Sequence, residues 1–154
     1  MILTTSRKPG RKTRTLSRVL SAYMNWDYIS RGKRGMEELM QLAPKIAVIE
    51  EIKGNPAVLK VYDGGKEVFL MRFNPGIIKK EKMDSSPVFF SGKLWFDPEI
   101  LDAVPAGNAG NRLKKRMRLR NAIRKEVVAG RKEGREYLNF LYDGSTVILL
   151  YPRR

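Results

Sequence analysis

Apolar residues near the start of the chain recur with a helical period. Leu16, Val19, Leu20, Tyr23 and Met24 stand at i, i+3, i+4, i+7 and i+8, which is one face of a helix over 11–24. At 100° per residue Arg11, Arg14 and Arg18 fall on the opposite face, so this helix buries one side and carries an arginine stripe on the other. A short apolar strand over 1–5 precedes it, and Pro9-Gly10 breaks the chain between the two. Met36, Leu39, Met40 and Ala43 predict a second, shorter helix over 35–43, stopped by Pro44. Strand patterns follow over 46–52, 57–62 and 67–73, the last two flanking the hairpin turn Asp63-Gly64-Gly65.

Asn74-Pro75-Gly76 and the polar stretch 79–86 read as a linker. Beyond it the pattern predicts a strand at Val88-Phe89-Phe90, a short helix over 98–104, and a longer helix over 111–129. The face of that longer helix is mixed: Leu113, Met117, Ile123 and Val127 share an arc with Arg116, Arg120 and Arg124. Two strands, 137–142 and 146–151, close the chain around Asp143-Gly144. The tripeptide Tyr-Asp-Gly occurs at 62–64 and again at 142–144, each time between strand patterns and each time followed by a proline, Pro75 or Pro152. This doubling predicts two related halves, about 1–78 and 86–154, whose Tyr62 and Tyr142 occupy equivalent positions.

Composition narrows the chemistry. The chain has 154 residues, enough for one domain with its own core. It contains no histidine and no cysteine, which removes the usual zinc ligands, thiolate chemistry and every histidine-dependent triad. Glu50 and Glu51 are neighbours on a predicted strand and so point to opposite faces rather than converging. The expectation is a protein that is not an enzyme and carries no cofactor or metal; the last-ranked alternative is an RNA-modifying enzyme using carboxylates and magnesium, which needs only one or two carboxylates plus waters. No signal-peptide pattern and no apolar run of transmembrane length is visible, so the expected location is cytoplasmic, with no membrane partner.

Charge points to a partner. Lys and Arg number 31 against 16 Asp and Glu, a net charge of +15. An imbalance of that size opposes compaction by self-repulsion and implies an anionic partner, nucleic acid first. The excess sits in two stretches, 1–34 and 112–135. In the first, Ser6, Arg7, Lys8, Arg11, Lys12 and Arg14 crowd a strand-to-helix turn, where a helix start and bidentate arginines suit phosphate. Arg18 continues the stripe, and Tyr28, Arg31 and Lys33 form a companion segment. The alternative is a capped helix with a solvated basic face. In the second stretch Lys114, Arg118 and Lys125 lie on the more polar arc of the predicted helix and are candidate RNA contacts.

Three segments, Thr4-Thr5-Ser6-Arg7-Lys8-Pro9, Tyr28-Ile29-Ser30-Arg31-Gly32-Lys33 and Glu51-Ile52-Lys53-Gly54-Asn55-Pro56, with the helix after the first, resemble successive motifs of the Brix family. The closest likeness is to small archaeal-type members, related to the Brix protein of the U3 small nucleolar ribonucleoprotein. The likeness is specific over roughly the first half and thin after Phe73. It implies a single Brix domain of mixed α/β fold, built from two halves that each resemble the anticodon-binding domain of class II aminoacyl-tRNA synthetases. It also implies a ribosome biogenesis role in rRNA processing or assembly, with ribosomal RNA or a small guide RNA as partner and with Ser6 to Arg14, Arg31 and Lys33 as RNA contacts. Acidic assembly proteins of a pre-ribosomal particle are the second class of partner.

Overall fold

A computed structural model describes residues 1–153. The elements are β1 (Ile2–Thr5), α1 (Arg11–Met24), β2 (Asp27–Tyr28), α2 (Met36–Leu42), β3 (Lys45–Ile52), β4 (Asn55–Asp63), β5 (Lys66–Ile78), β6 (Val88–Gly92), a 3-10 turn (Pro98–Leu101), α3 (Asn108–Leu119), β7 (Lys125–Lys132), β8 (Arg135–Tyr142) and β9 (Ser145–Arg153). The strands form one mixed sheet in the order β2-β1-β3-β4-β5-β9-β8-β7-β6.

That order reads nearly the same from both edges. On one side β1 lies parallel to β3, and β3, β4 and β5 follow as antiparallel neighbours. On the other, β6 lies parallel to β7, and β7, β8 and β9 follow in the same way. The two arms meet where β5 pairs antiparallel with β9. The doubling expected from the two Tyr-Asp-Gly turns is therefore present in the topology, but the tyrosines do not correspond. Each hairpin carries a β-bulge, between Val61 and Tyr62 in one and between Phe140 and Leu141 in the other. Aligning the bulges sets Tyr62 on Leu141. A one-residue slip exchanges the faces of a sheet: Tyr62 packs with Leu39, Ile46 and Val48 under α2, whereas Tyr142 joins the main core.

The main core fills the opposite face from α2. Leu16, Val19, Leu20, Tyr23 and Met24 of α1 pack on Leu59, Val61, Met71 and Phe73 of the first arm and on Leu138, Phe140 and Leu150 of the second. A helix of 14 residues is marginal alone; each of these buried side chains contributes roughly 1.5–3 kcal/mol relative to exposure, so docking holds the helix. The Tyr23 ring meets Phe140 edge-on at 5.3 Å, and its hydroxyl donates to Leu141 O at 2.7 Å. Trp26 is buried and donates from Nε1 to Leu101 O at 3.0 Å. Among the described residues no helix is long and apolar enough to cross a membrane.

Two expectations need correction here. Asn74-Pro75-Gly76 is not linker: β5 runs through it, bulged between Pro75 and Ile78, to pair with β9. The longer helix ends at Leu119 instead of Ala129, and Asn121 turns the chain with φ +52. Lys125 to Lys132 is strand β7, whose alternating Lys125, Val127 and Ala129 face the core.

Lys125 is thus no surface cation. Its side chain is 0% exposed, and Nζ donates to Asp84 O at 2.6 Å, Asn25 Oδ1 at 2.9 Å and Ala22 O at 3.4 Å. Burial pushes its pKa down, and the Asp84 carboxylate pulls it partly back. Asp84 itself accepts from the Ser86 hydroxyl and N–H and pairs with Arg124; these contacts hold its pKa down at about 2.

Replacing Lys125 by Ala strands three acceptors and should lower the unfolding free energy by about 2–4 kcal/mol in a denaturant titration. Asp84 contributes stability in full above its ordinary pKa of 3.8, and that contribution drains away as pH falls through about 2. Asp84→Asn should therefore flatten the acid limb of melting temperature against pH. An unaltered limb would remove Asp84 as its source.

Candidate nucleic-acid interface

Parallel pairing brings the first basic stretch together. Because β1, β2 and β3 run parallel, the loop after β1 (6–10) and the loop after β2 (29–35) leave the sheet at the same end. This is the end at which open α/β sheets commonly place ligands. Ser6 N–H donates to Ile49 O, and Thr4 Oγ1 donates to Ile29 O, which ties the two loops down. Arg31 donates from Nη1 to Thr5 O at 2.8 Å and from Nε to Arg34 O at 2.7 Å. Burial, and then the neighbouring Arg7, lower its pKa. Arg31 is half-buried and serves first to position the loops.

Around that tie the free cations gather. Arg7 and Lys8 are exposed, Lys8 in the left-handed region at φ +52. Arg11, Lys12, Arg14 and Arg18 are exposed along α1, and Lys33 is exposed on the neighbouring turn. Arg14 Nη1 donates to Pro9 O, and the Arg18 guanidinium lies 5.6 Å from the centre of the half-buried Tyr28 ring.

The start of α1 is already served by a carboxylate. Glu51 Oε1, at the end of β3, accepts from Gly10 N at 2.8 Å and from the Thr13 hydroxyl at 2.5 Å. The register shift between Glu50 and Glu51 places its extra residue, Ala57, on β4, so the two acids keep their strand alternation, and Glu50 pairs with Lys60 at 2.9 Å. The acids diverge, as their adjacency on a strand requires. Glu51 supplies the anion that a helix start favours, so the start of α1 is already occupied, and the exposed side chains beside it are those of Arg7 and Lys8.

The second basic stretch lies elsewhere. Lys125 points to α1, while its neighbour Glu126 points to the reverse face, where it accepts from Ser91 Oγ and pairs with Arg118 at 2.7 Å. Lys114 donates to Phe90 O at 2.5 Å and to Ser91 Oγ at 3.0 Å. Lys114 and Arg118 therefore fasten α3 to the β6–β7 edge. The freer cations of α3 are Arg112, Lys115, Arg116 and Arg120, all exposed beside Leu119, which is 80% exposed. Sequence reasoning chose the other arc because it took the helix ten residues too far. Arg124, assigned to that helix, instead bridges Asp84 and Asp143 with its guanidinium 5.0 Å from the centre of the Tyr142 ring. Among the described residues no group of three or more carboxylates converges.

No protein-family model matches the chain. A protein of Archaeoglobus fulgidus named "Probable Brix domain-containing ribosomal biogenesis protein" is 41% identical over 149 residues, covering 97% of this chain and 92% of the relative. One of the same name from Methanosarcina barkeri is 40% identical over 109 residues, 67% of each chain. The chain belongs to the Brix domain-containing ribosomal biogenesis family. Among solved structures, that of Mil, an archaeal Imp4-like protein, superposes with TM-score 0.70 at 27% identity, covering 100% of this chain and 97% of the other. The mixed α/β fold of this Brix chain is the fold of that neighbour.

Glu51 gives a direct check on how the basic loop is held. Glu51→Ala should cost about 1–2 kcal/mol, as loss of a helix cap does, while Glu51→Gln should cost less because an acceptor remains. Equal losses in the two variants, measured by denaturant unfolding, would show that the carboxylate charge rather than the cap geometry matters.

Proposed function

We propose that this Brix protein is a non-enzymatic RNA-binding factor that acts in ribosomal RNA processing or assembly as a chaperone, and that the chain is a single Brix domain with halves of about 1–78 and 86–154. One observation carries the reading: Arg7, Lys8, Arg11, Lys12, Arg14, Arg18 and Lys33 are exposed on the loops that leave one end of the parallel strands and on α1, while Glu51, the carboxylate at the start of α1, is taken up by Gly10 and Thr13. Such a surface engages phosphates, and phosphate contacts give affinity and orientation rather than sequence choice. Ser6, Tyr28 and Arg31 lie among these cations; Tyr28 offers a ring for an unpaired base. Ribosomal RNA or a small guide RNA is the partner, and the names borne by its relatives agree with that setting.

Docking on acidic assembly proteins is the second reading, favoured by the exposed Leu119 among the cations of α3, since an apolar residue within a basic patch suits a protein surface.

Arg7, Lys8, Arg11 and Arg14 are all exposed, so their joint replacement by Ala should hold the melting temperature within a few degrees. RNA affinity at low salt should fall steeply, and each lost phosphate contact should reduce the magnitude of the salt slope by about 0.7–0.9. Arg112, Lys115, Arg116 and Arg120 replaced by Ala form the comparison. A full loss there, with the first variant unaffected, would move the RNA surface to α3. Parent protein that binds no RNA at moderate salt would leave the acidic-protein reading.

A further inference from the structure

The reverse face of the sheet is covered by α2 over β3 and β4 and by α3 at the β6–β7 edge, and between them β5, β9 and β8 lie open. Strand alternation fixes what they present. Phe73, Leu150 and Leu138 face the core, so Arg72, Arg153, Tyr151, Tyr137 and Arg135 face outward. Arg72 pairs with Arg153 across β5–β9, and Lys132 pairs with Arg135 across β7–β8. Extending the β8–β9 register from Leu138–Leu150 by one residue sets Tyr137 against Tyr151, and by three sets Arg135 against Arg153. Lys132, Arg135, Arg153 and Arg72 therefore form one row across four adjacent strands, about 14 Å long at the usual strand spacing. All four are exposed. No ion pair joins any of them to a carboxylate among the described residues; Arg131, on the other face, pairs with Glu136 at 3.1 Å.

Like charges set directly opposite on neighbouring strands destabilise a sheet. Beside the cations lies a second row. The Tyr137 ring leans over Gly130, where a Cβ would come within 2.3 Å of its hydroxyl oxygen, and the Tyr151 ring leans over Gly76, where a Cβ would come within 2.8 Å. The Arg135 guanidinium lies 3.6 Å from the centre of the Tyr151 ring. Asn139 Oδ1 accepts from Thr146 Oγ1 at 2.8 Å, which leaves the amide N–H groups to donate. A depression of about 420 Å³ opens here, with Tyr137, Tyr151, Asn139 and Leu149 in its lining and Glu133 as its acid.

We propose that this face is a second binding site for single-stranded RNA, with Lys132, Arg135, Arg153 and Arg72 taking successive phosphates and Tyr137 beside Asn139 receiving an unpaired base. The cations supply charge complementarity to a polyanion, and the tyrosine and amide supply a stacking surface and a donor for a base edge. An acidic peptide would use the row of charge but has no need of the ring. The proposal rests on the RNA-binding reading and adds a site to it on the opposite face of the sheet from α1.

The test is fluorescence anisotropy of the full chain with fluorescein-labelled 12-nucleotide oligouridylate and oligoadenylate, and with an RNA duplex of equal length, over a salt series. Arg72→Gln with Arg153→Gln should reduce the magnitude of the salt slope by about 0.7 per lost contact, with a melting temperature unchanged or raised. The matching pair of Lys substitutions should keep the slope. Tyr137→Leu should weaken single-strand binding roughly five- to a hundredfold with the slope unchanged. A parent that binds RNA, with Gln and Leu variants that bind like it, overturns this site and leaves the RNA-binding reading standing. A parent that binds no RNA removes both. Displacement of RNA by polyglutamate at matched charge, with Tyr137→Leu without effect, assigns the face to an acidic protein instead.

Discussion

The antiparallel seam between β5 and β9 is the constraint on which the rest depends. Without it the chain is two arms, each with parallel strands leading into three antiparallel ones and ending in an unpaired edge, and an exposed edge strand is a template for unwanted pairing. With it the nine strands are one sheet. One apolar layer then runs from Leu59 and Met71 through Phe73 to Leu150 and Phe140. The seam uses residues that look like a breaker, since Asn74 pairs with Tyr151 and Pro75 with Leu150. A bulge absorbs the irregularity, as bulges do where a strand must bend. Helix α1 then locks the join from above: Tyr23 reaches Leu141, and the Ala22 carbonyl and Asn25 side chain accept from Lys125 in the far arm.

Against a net charge of +15, several of the acids are engaged in structure. Glu51 seals the start of α1, Glu126 holds Arg118, and Asp84 and Asp143 hold Arg124. The cations left over face outward on α1, on α3 and across the open sheet. Repulsion among them is a standing cost that a polyanion relieves. Ribosome biogenesis, the setting in the names of its relatives, offers such a polyanion in abundance.

Much of this was legible in the sequence where periodicity and neighbours act locally. The α1 stripe, the short α2 and both Tyr-Asp-Gly hairpins follow from spacing alone. The failures share a cause: information held across strands. Ile123 and Val127 fit a helical arc and a strand equally well, and only pairing of Lys125–Lys132 with β6 and β8 decides between them. A helical reading of 111–129 puts Lys125 on the surface for that reason. The equivalence of Tyr62 and Tyr142 failed because the bulge positions, invisible in the tripeptide, set the face. The Lys132–Arg135–Arg153–Arg72 row was unreadable because its members lie up to 81 positions apart (153 minus 72) and meet only through register.

Native-state hydrogen exchange of the full chain tests the single-sheet account most directly. Amides of Arg72, Phe73 and Asn74 in β5 and of Leu150 and Tyr151 in β9 should exchange only through global unfolding, with the same free energy as the central strands β4 and β8. A second arm, β6 to β9, that exchanges as a separate unit of lower free energy, with the seam opening before either arm, would contradict it.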